Sequence, residues 1–338
     1  MIALETVRKP ISPHEQLILF NDLPAVERGA VNLDVSFLHK SFCIAGLPLR
    51  APKDINKAFS RNDDSFALTV NPLSVTLPGR GEIKMGVPFG PKARLLAMWM
   101  ATEVRDQSRR AGDRWLEFGR IMSWLDSIGI KPHSNNLNAT KEQLIRLSFS
   151  AFTMYSKGAD GNEHFKNDLL IEGGTFEAGD LGLYVEGKVG QVRWPKGLEL
   201  SQRAYDRFSN HSIPVPTSRI AKIAHSAMAL DIFLFLCYRL PLLGPREDDL
   251  VSWRHLIAQF GSGEAPSKFK VAFEVSIKNA LEAYPEANVE LTDEGLRVRY
   301  SEPADLRRSF YVILPSGKEP PARRRTKTGG AVITPPDR

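Results

Sequence analysis

The residues of this 338-residue chain whose types and spacing could do chemistry are suited to recognition. Ser267, Lys268, Val271, Glu274 and Lys278 recur at helical spacing after Pro266, with Lys270 at the border of their face. Lysine can donate to guanine, glutamate can accept from cytosine N4, and valine can meet a thymine methyl. On the first turns of a helix, that set is matched to base edges in a DNA major groove. Arg297 and Arg299, alternate residues of a predicted strand, point to one side of it and add two cations suited to phosphate oxygens.

Covalent and metal chemistry lack comparable constellations. The seven histidines never stand two or four residues apart, so no pair has metal-ligand spacing. There is no G-x-x-x-x-G-K-[ST] loop and no G-x-S-x-G elbow. A nickase of rolling-circle type needs a histidine pair beside a tyrosine nucleophile. Tyr155, Tyr205 and Tyr238 are present, but without that pair they read as core or capping residues. The expectation is a protein that is not an enzyme and uses no cofactor or metal.

The elements that must position the recognition residues are legible around them. Residues 252–260 place Trp253, Leu256, Ile257 and Phe260 at helical spacing. Gly261 and Gly263 stop that helix, Pro266 opens the next, and Pro285 ends it. On the second helix Phe269, Phe273, Ile277, Ala280, Leu281 and Tyr284 form the apolar face. A hairpin follows, with Gly295 in its turn, Leu296, Val298 and Tyr300 on one side, and the two arginines on the other. Two helices, a glycine turn and a basic hairpin make the outline of a winged-helix DNA reader. Such outlines also occur in structures that bind no nucleic acid, and this one has six Lys or Arg against seven acids. The pattern leaves both readings open.

The same order occurs earlier. Residues 91–104 form an amphipathic helix, and a basic loop follows at 105–114 with Arg105, Arg109, Arg110 and Arg114. A second helix covers 118–128. The capping box Thr140-Lys141-Glu142-Gln143 opens a third towards Phe149, carrying Lys141 and Arg146. Alternating segments at 165–171 and 181–194 read as strands, and 194–197 as a linker. Beyond it come helices near 202–209, 218–224 and 227–240. Tandem units of this kind can reach two successive major grooves, about 10 bp apart. Arg105, Arg109, Arg110, Lys141 and Arg146 are the DNA-binding candidates of the first unit.

The expected fold class is α+β, mainly helical: two tandem winged-helix domains, 86–196 and 197–305. An N-terminal region, 1–85, precedes them, and a basic, disordered tail, 306–338, follows. Within 1–85 the pattern supports a short helix from Ser12 to Phe20 and strands at 66–70 and 73–77. Apolar content of 42% with 25% charged residues is that of an ordinary globular protein. Cys43 and Cys237 lie far apart in apolar runs and read as reduced core thiols. The longest apolar run, 227–243, is broken by Asp231 and Arg239 and is too short to span a bilayer. No basic-then-apolar leader opens the chain, so a cytoplasmic protein with no membrane contact is expected. Residues 315–338 hold +4 of the net charge of +6, which leaves the body nearly neutral.

At the long helix and its flanks the chain resembles the plasmid-encoded RepA replication initiator family. The resemblance is carried by ELSQRAYDRF, IPVP, IAHSAMALDIFLFLCYRL, SWRHLIAQFG, FKVAFEVSIKNALEAYPEA and GLRVR. In the first unit it is carried by GVPFGPKARLLAMWMATE, FGRIMSWLDSIGI and KEQLIRLSFSAF, and upstream by LPLRAP and FSRNDDSFALTV. It runs in order over about 37–303. Where members often carry a compact Gly-Gly stretch, this chain reads KPHSNNLNAT. The resemblance implies an initiator of theta replication that binds direct repeats (iterons) in double-stranded plasmid origin DNA and promotes melting. It implies the host initiator and replicative helicase as partners, and no catalytic residues; a homodimer is a further candidate, with monomer and dimer both open. The alternatives are a winged-helix transcriptional (auto)regulator and, third, a rolling-circle nickase or primase-type enzyme.

Overall fold

The computed structural model describes residues 32–33, 35–39, 46–62, 66–106, 109–157, 161–244, 246–302, 304 and 310–311. The helix expected from Ser12, Cys43 and the basic tail at 315–338 lie outside them. In chain order the elements begin with β1 (Asn32–Leu33), β2 (Val35–His39), β3 (Phe59–Asn62), β4 (Phe66–Pro72) and the hairpin β5 (Ser74–Leu77) and β6 (Gly81–Lys84). Next come α1 (Gly90–Arg105), β7 (Trp115–Leu116), α2 (Ile121–Ser127), α3 (Ser134–Ser148), β8 (Ser150–Lys157), β9 (Glu163–Leu169), β10 (Ile171–Thr175), α4 (Asp180–Val185) and β11 (Gly197–Leu200). The last stretch holds α5 (Gln202–His211), β12 (Ser212–Pro216), α6 (Thr217–Ile220), α7 (Ala227–Arg239), β13 (Asp248–Ser252), α8 (Trp253–Phe260) and α9 (Pro266–Ala283). The hairpin β14 (Val289–Leu291) and β15 (Gly295–Arg299) and then β16 (Phe310–Tyr311) complete it.

Two helices form the centre because they are apolar nearly all round, a pattern that only burial satisfies. On α1 every residue from Ala93 to Ala101 is buried, and on α7 every residue from Ala227 to Cys237. Ser226 starts α7 by accepting the Ala229 amide at 3.2 Å. The two helices pack on each other, α1 also against β2, α3 and α5, and α7 against α9. One buried apolar cluster therefore runs from Phe37 to Ala304 through both halves. Its polar tie is Arg94 of α1, which makes two bonds of 2.6 Å to the Asp231 carboxylate of α7. The same guanidinium donates to the carbonyls of Leu47, Pro48 and Gly90.

Helix, strand, helix, helix and hairpin occur in that order twice, at α1–β7–α2–α3–β8–β9 and at α7–β13–α8–α9–β14–β15. The sheets differ. In the second unit β13 pairs with β15, giving the order β13-β15-β14. In the first, β8 and β9 join the earlier strands as β3-β4-β8-β9, while β7 lies in a separate sheet, β10-β11-β7. A mixed helical and strand architecture results.

Several expected elements are corrected. The third helix of the first unit starts at Ser134, six residues before Thr140, whose hydroxyl donates to the Asn136 carbonyl within the helix at 2.7 Å. Asparagines favour turns and caps over helix interiors, which hid that start. Residues 181–194 hold the end of α4 and a 3-10 turn, Val189–Gln191, in place of a strand. Residues 194–197 are no free tether. Trp194 stacks on Phe118 with ring centroids 5.8 Å apart, and Gly197 begins β11, the middle strand of its sheet. A Cβ at Gly197 would run into the Trp115 indole. The expected helix at 218–224 shortens to α6, and β13 was not anticipated.

Candidate nucleic-acid interface

The geometry of the second unit starts from its aromatic core. Phe269 and Phe273, one turn apart on α9, have ring centroids 5.5 Å apart, and Trp253 of α8 meets Phe273 edge-on at 5.8 Å. Phe260, also on α8, lies 5.8 Å from Phe273 and 5.8 Å from Phe235 of α7. Gly263, at φ +83, takes the chain from α8 into α9 through a conformation other residues adopt only under strain. Across the hairpin, a Cβ at Gly295 would collide with the Val251 carbonyl, so glycine lets β15 close against β13.

With its aromatic side spoken for, α9 turns the opposite side outward. Ser267, Lys268, Val271, Glu274 and Lys278 are all exposed. Val275, overlooked in the sequence, belongs to the same row, as its spacing of four from Val271 could have shown. Lys270 is different. Its Nζ sits 4.7 Å from the Trp253 ring centroid, a cation–π contact that holds it against α8.

The two arginines of β15 are half-exposed but engaged. Arg297 lies 3.3 Å from Asp248, and Arg299 lies 3.2 Å from Asp248 and 3.0 Å from Glu290. The bonds to Glu290 and Asp248 push the Arg299 guanidinium above its ordinary value. Glu290 was readable as a cross-strand partner; Asp248 was not, because β13 was not.

Most of the first unit's expected cations are engaged by their surroundings. Residues Thr140 to Leu147 of α3 are buried except Glu142, so that part of the helix cannot enter a groove. Lys141 is buried and donates to the Val192 carbonyl at 2.6 Å, and burial lowers its pKa against the opposing charge of Asp180. Arg146 is buried with Glu142 at 2.7 Å and the Phe89 ring at 5.2 Å. In the basic loop, Arg105 donates to the Ser209 carbonyl and covers the Phe37 ring at 5.3 Å, with burial lowering its pKa. Arg109 holds Asp113 at 3.0 Å, Glu103 at 3.5 Å and the Trp115 carbonyl. Arg114 bridges Glu172 and Glu199. These five are struts. Arg110 is exposed, as are Lys131, His133, Ser134 and Asn135 at the start of α3. Of the three tyrosines, Tyr205 pins the loop by accepting the Gly112 amide at 2.8 Å.

Among the described residues no helix is long and apolar enough to cross a membrane. The family model described as "Plasmid encoded RepA protein" matches residues 87–255, half of the chain. Solved structures of RctB are similar in part. A crystal structure of selenomethionine derivatives of its domains 2 and 3 matches at 12% identity and a TM-score of 0.47, over 76% of this chain and 96% of that one. A second crystal structure of RctB domains 2–3 matches at 12% identity and a TM-score of 0.42, over 71% and 82%. Both likenesses are distant. No curated protein matches the sequence.

Proposed function

The chain belongs to the family of plasmid-encoded RepA proteins, and from that premise we propose that it initiates plasmid replication by binding direct repeats in the origin. In this reading both units act as winged-helix modules. α9 lies in a major groove with its first turns on base edges, and the β14–β15 hairpin follows the adjacent backbone. The carrying observation is the outward row of α9, where Lys268, Glu274 and Lys278 stand exposed with Val271 opposite a fully buried aromatic face. The first unit contributes a smaller contact, through the exposed start of α3 and Arg110.

Origin melting and recruitment of the host initiator and helicase are the further steps we assign to the bound protein. None of them needs a covalent step by this chain, so we assign it no catalytic residue. A nicking assay on supercoiled origin DNA with Mg²⁺ checks that assignment, and strand cleavage would overturn it.

Footprinting of the full chain on duplexes enriched from a random pool tests the binding mode. Two units on successive grooves should protect one face over about 20 bp. With some 6–10 phosphates engaged, affinity should fall about 10³–10⁵-fold between 50 and 200 mM salt. Protection confined to about one helical turn would leave α9 as the sole reader.

A further inference from the structure

Between Lys268 and Lys278 the outward row of α9 holds three residues that can make no side-chain hydrogen bond. Val271 is 64% exposed, Val275 is 58% exposed, and Ala272 beside them is also exposed. Isolated surface valines need no explanation. Two on successive turns of one face are different, because valine is a weak helix former and burial of these side chains contributes nothing to the core. A stable protein interface removes about 800 Å² per partner from water, more than three short side chains in one narrow row supply. The ends of the row are Lys268 and Lys278, cations that suit phosphates rather than an apolar rim.

Resting on the assignment of α9 to the major groove, we propose that Val271 and Val275 read two thymine C5-methyl groups, so that the chain selects sites with thymine at two nearby positions. The methyl is the one major-groove group that gains from meeting an aliphatic side chain without a donor or acceptor. Four residues of helix span about 6 Å, and stacked bases rise about 3.4 Å, which places the two methyls about two base steps apart. Ala272 faces the step between. Glu274, three residues on from Val271 and also exposed, stands where it can accept from a neighbouring cytosine N4.

The test uses the full chain and a duplex that it enriches from a random pool. Each thymine is exchanged in turn for deoxyuridine, which keeps every hydrogen-bonding group and lacks only the methyl. Uracil at two positions about two steps apart should each weaken binding about 3–10-fold, as expected for one apolar carbon returned to water. Val271→Ser and Val275→Ser should each abolish one of these sensitivities, binding the thymine and uracil duplexes alike. Both side chains are exposed, so melting curves should be unchanged. Uracil-insensitive binding by the unmodified chain overturns the proposal, as do Val→Ser variants that keep both sensitivities. Lys268→Ala and Lys278→Ala tell the two levels apart. If they weaken binding while uracil has no effect, α9 reads DNA and only the methyl assignment falls. If neither matters, the placement of α9 in the groove falls as well. A Val271→Ser/Val275→Ser chain that binds DNA normally but changes its sedimentation would assign the row to a second copy and overturn the proposal.

Discussion

Arg94 and Asp231 meet where both halves of the chain and the Leu47–Pro48 backbone converge, with each side chain only 4% exposed. Asp231→Ala would strand a buried guanidinium, and a loss of about 3–5 kcal/mol is expected by denaturant unfolding. An apolar pair, Arg94→Met with Asp231→Leu, should recover only part of it, because the carbonyls of Leu47, Pro48 and Gly90 lose their donor. Full recovery would mean those carbonyls find other partners. Lys92 presents the opposite problem, since its buried Nζ has no hydrogen-bond partner among the described residues. Burial pushes its pKa from 10.5 down to about 8. Between those values the unfolded chain holds a proton that the folded chain has released, so stability should rise with pH across that window. Lys92→Met should flatten that rise and add about 1 kcal/mol at pH 7, less than full linkage because the side chain is only partly buried. An unchanged pH profile in the variant would assign the slope to another group.

At the scale of elements, the β14–β15 hairpin carries its cations already paired to acids. If Arg297 and Arg299 hold phosphates, they must leave Asp248 and Glu290 to do so. The variant Arg297→Ala/Arg299→Ala should then lower the slope of log K against log salt by about 2. Asp248→Ala should act the other way, raising affinity at low salt by releasing Arg297, while Arg299 keeps its bond to Glu290. Anisotropy titrations across a salt series measure both, and identical slopes in all three chains would leave the hairpin a structural clasp. α9 sits on the other side of that comparison. Its exposed lysines, Lys268 and Lys278, have no side-chain partner to leave among the described residues, whereas Lys270 would have to leave the Trp253 ring, a contact worth about 0.5–1 kcal/mol at an exposed site.

For the whole molecule, the shared core predicts one unfolding event. α1 and α7 bury their surfaces against each other and the apolar cluster crosses both units. Calorimetric and van't Hoff enthalpies should therefore agree, and Asp231→Ala should separate the transition into two. A fragment ending at residue 196 lacks β11, which lies between β10 and β7. It also lacks α5, whose Arg207 pairs with Asp168. It should be protease-sensitive and fail to bind the enriched duplex. A folded, protected fragment would show that the halves are independent after all.

Local signals made the second unit readable. The period of α9, proline at its start, the glycine turn and the alternation of β15 all act within a few residues, and an amphipathic helix declares its buried face in its own sequence. Ser252 likewise caps α8 by accepting the His255 amide. Whether a given cation is free is a different kind of question. Lys141 is claimed by a carbonyl 51 residues away, Arg105 by one 104 residues away, and Arg114 by acids 58 and 85 residues away. No period or spacing encodes such partners. The same holds for residues 194–197, a linker by composition, whose Gly197 opens the middle strand of a sheet by pairing. Sequence alone determined the helix–turn–helix and the outward row of α9, because short-range periodicity specifies a face. Only the tertiary structure decided which arginines and lysines remain on the surface, because burial and pairing depend on segments that folding brings from far along the chain.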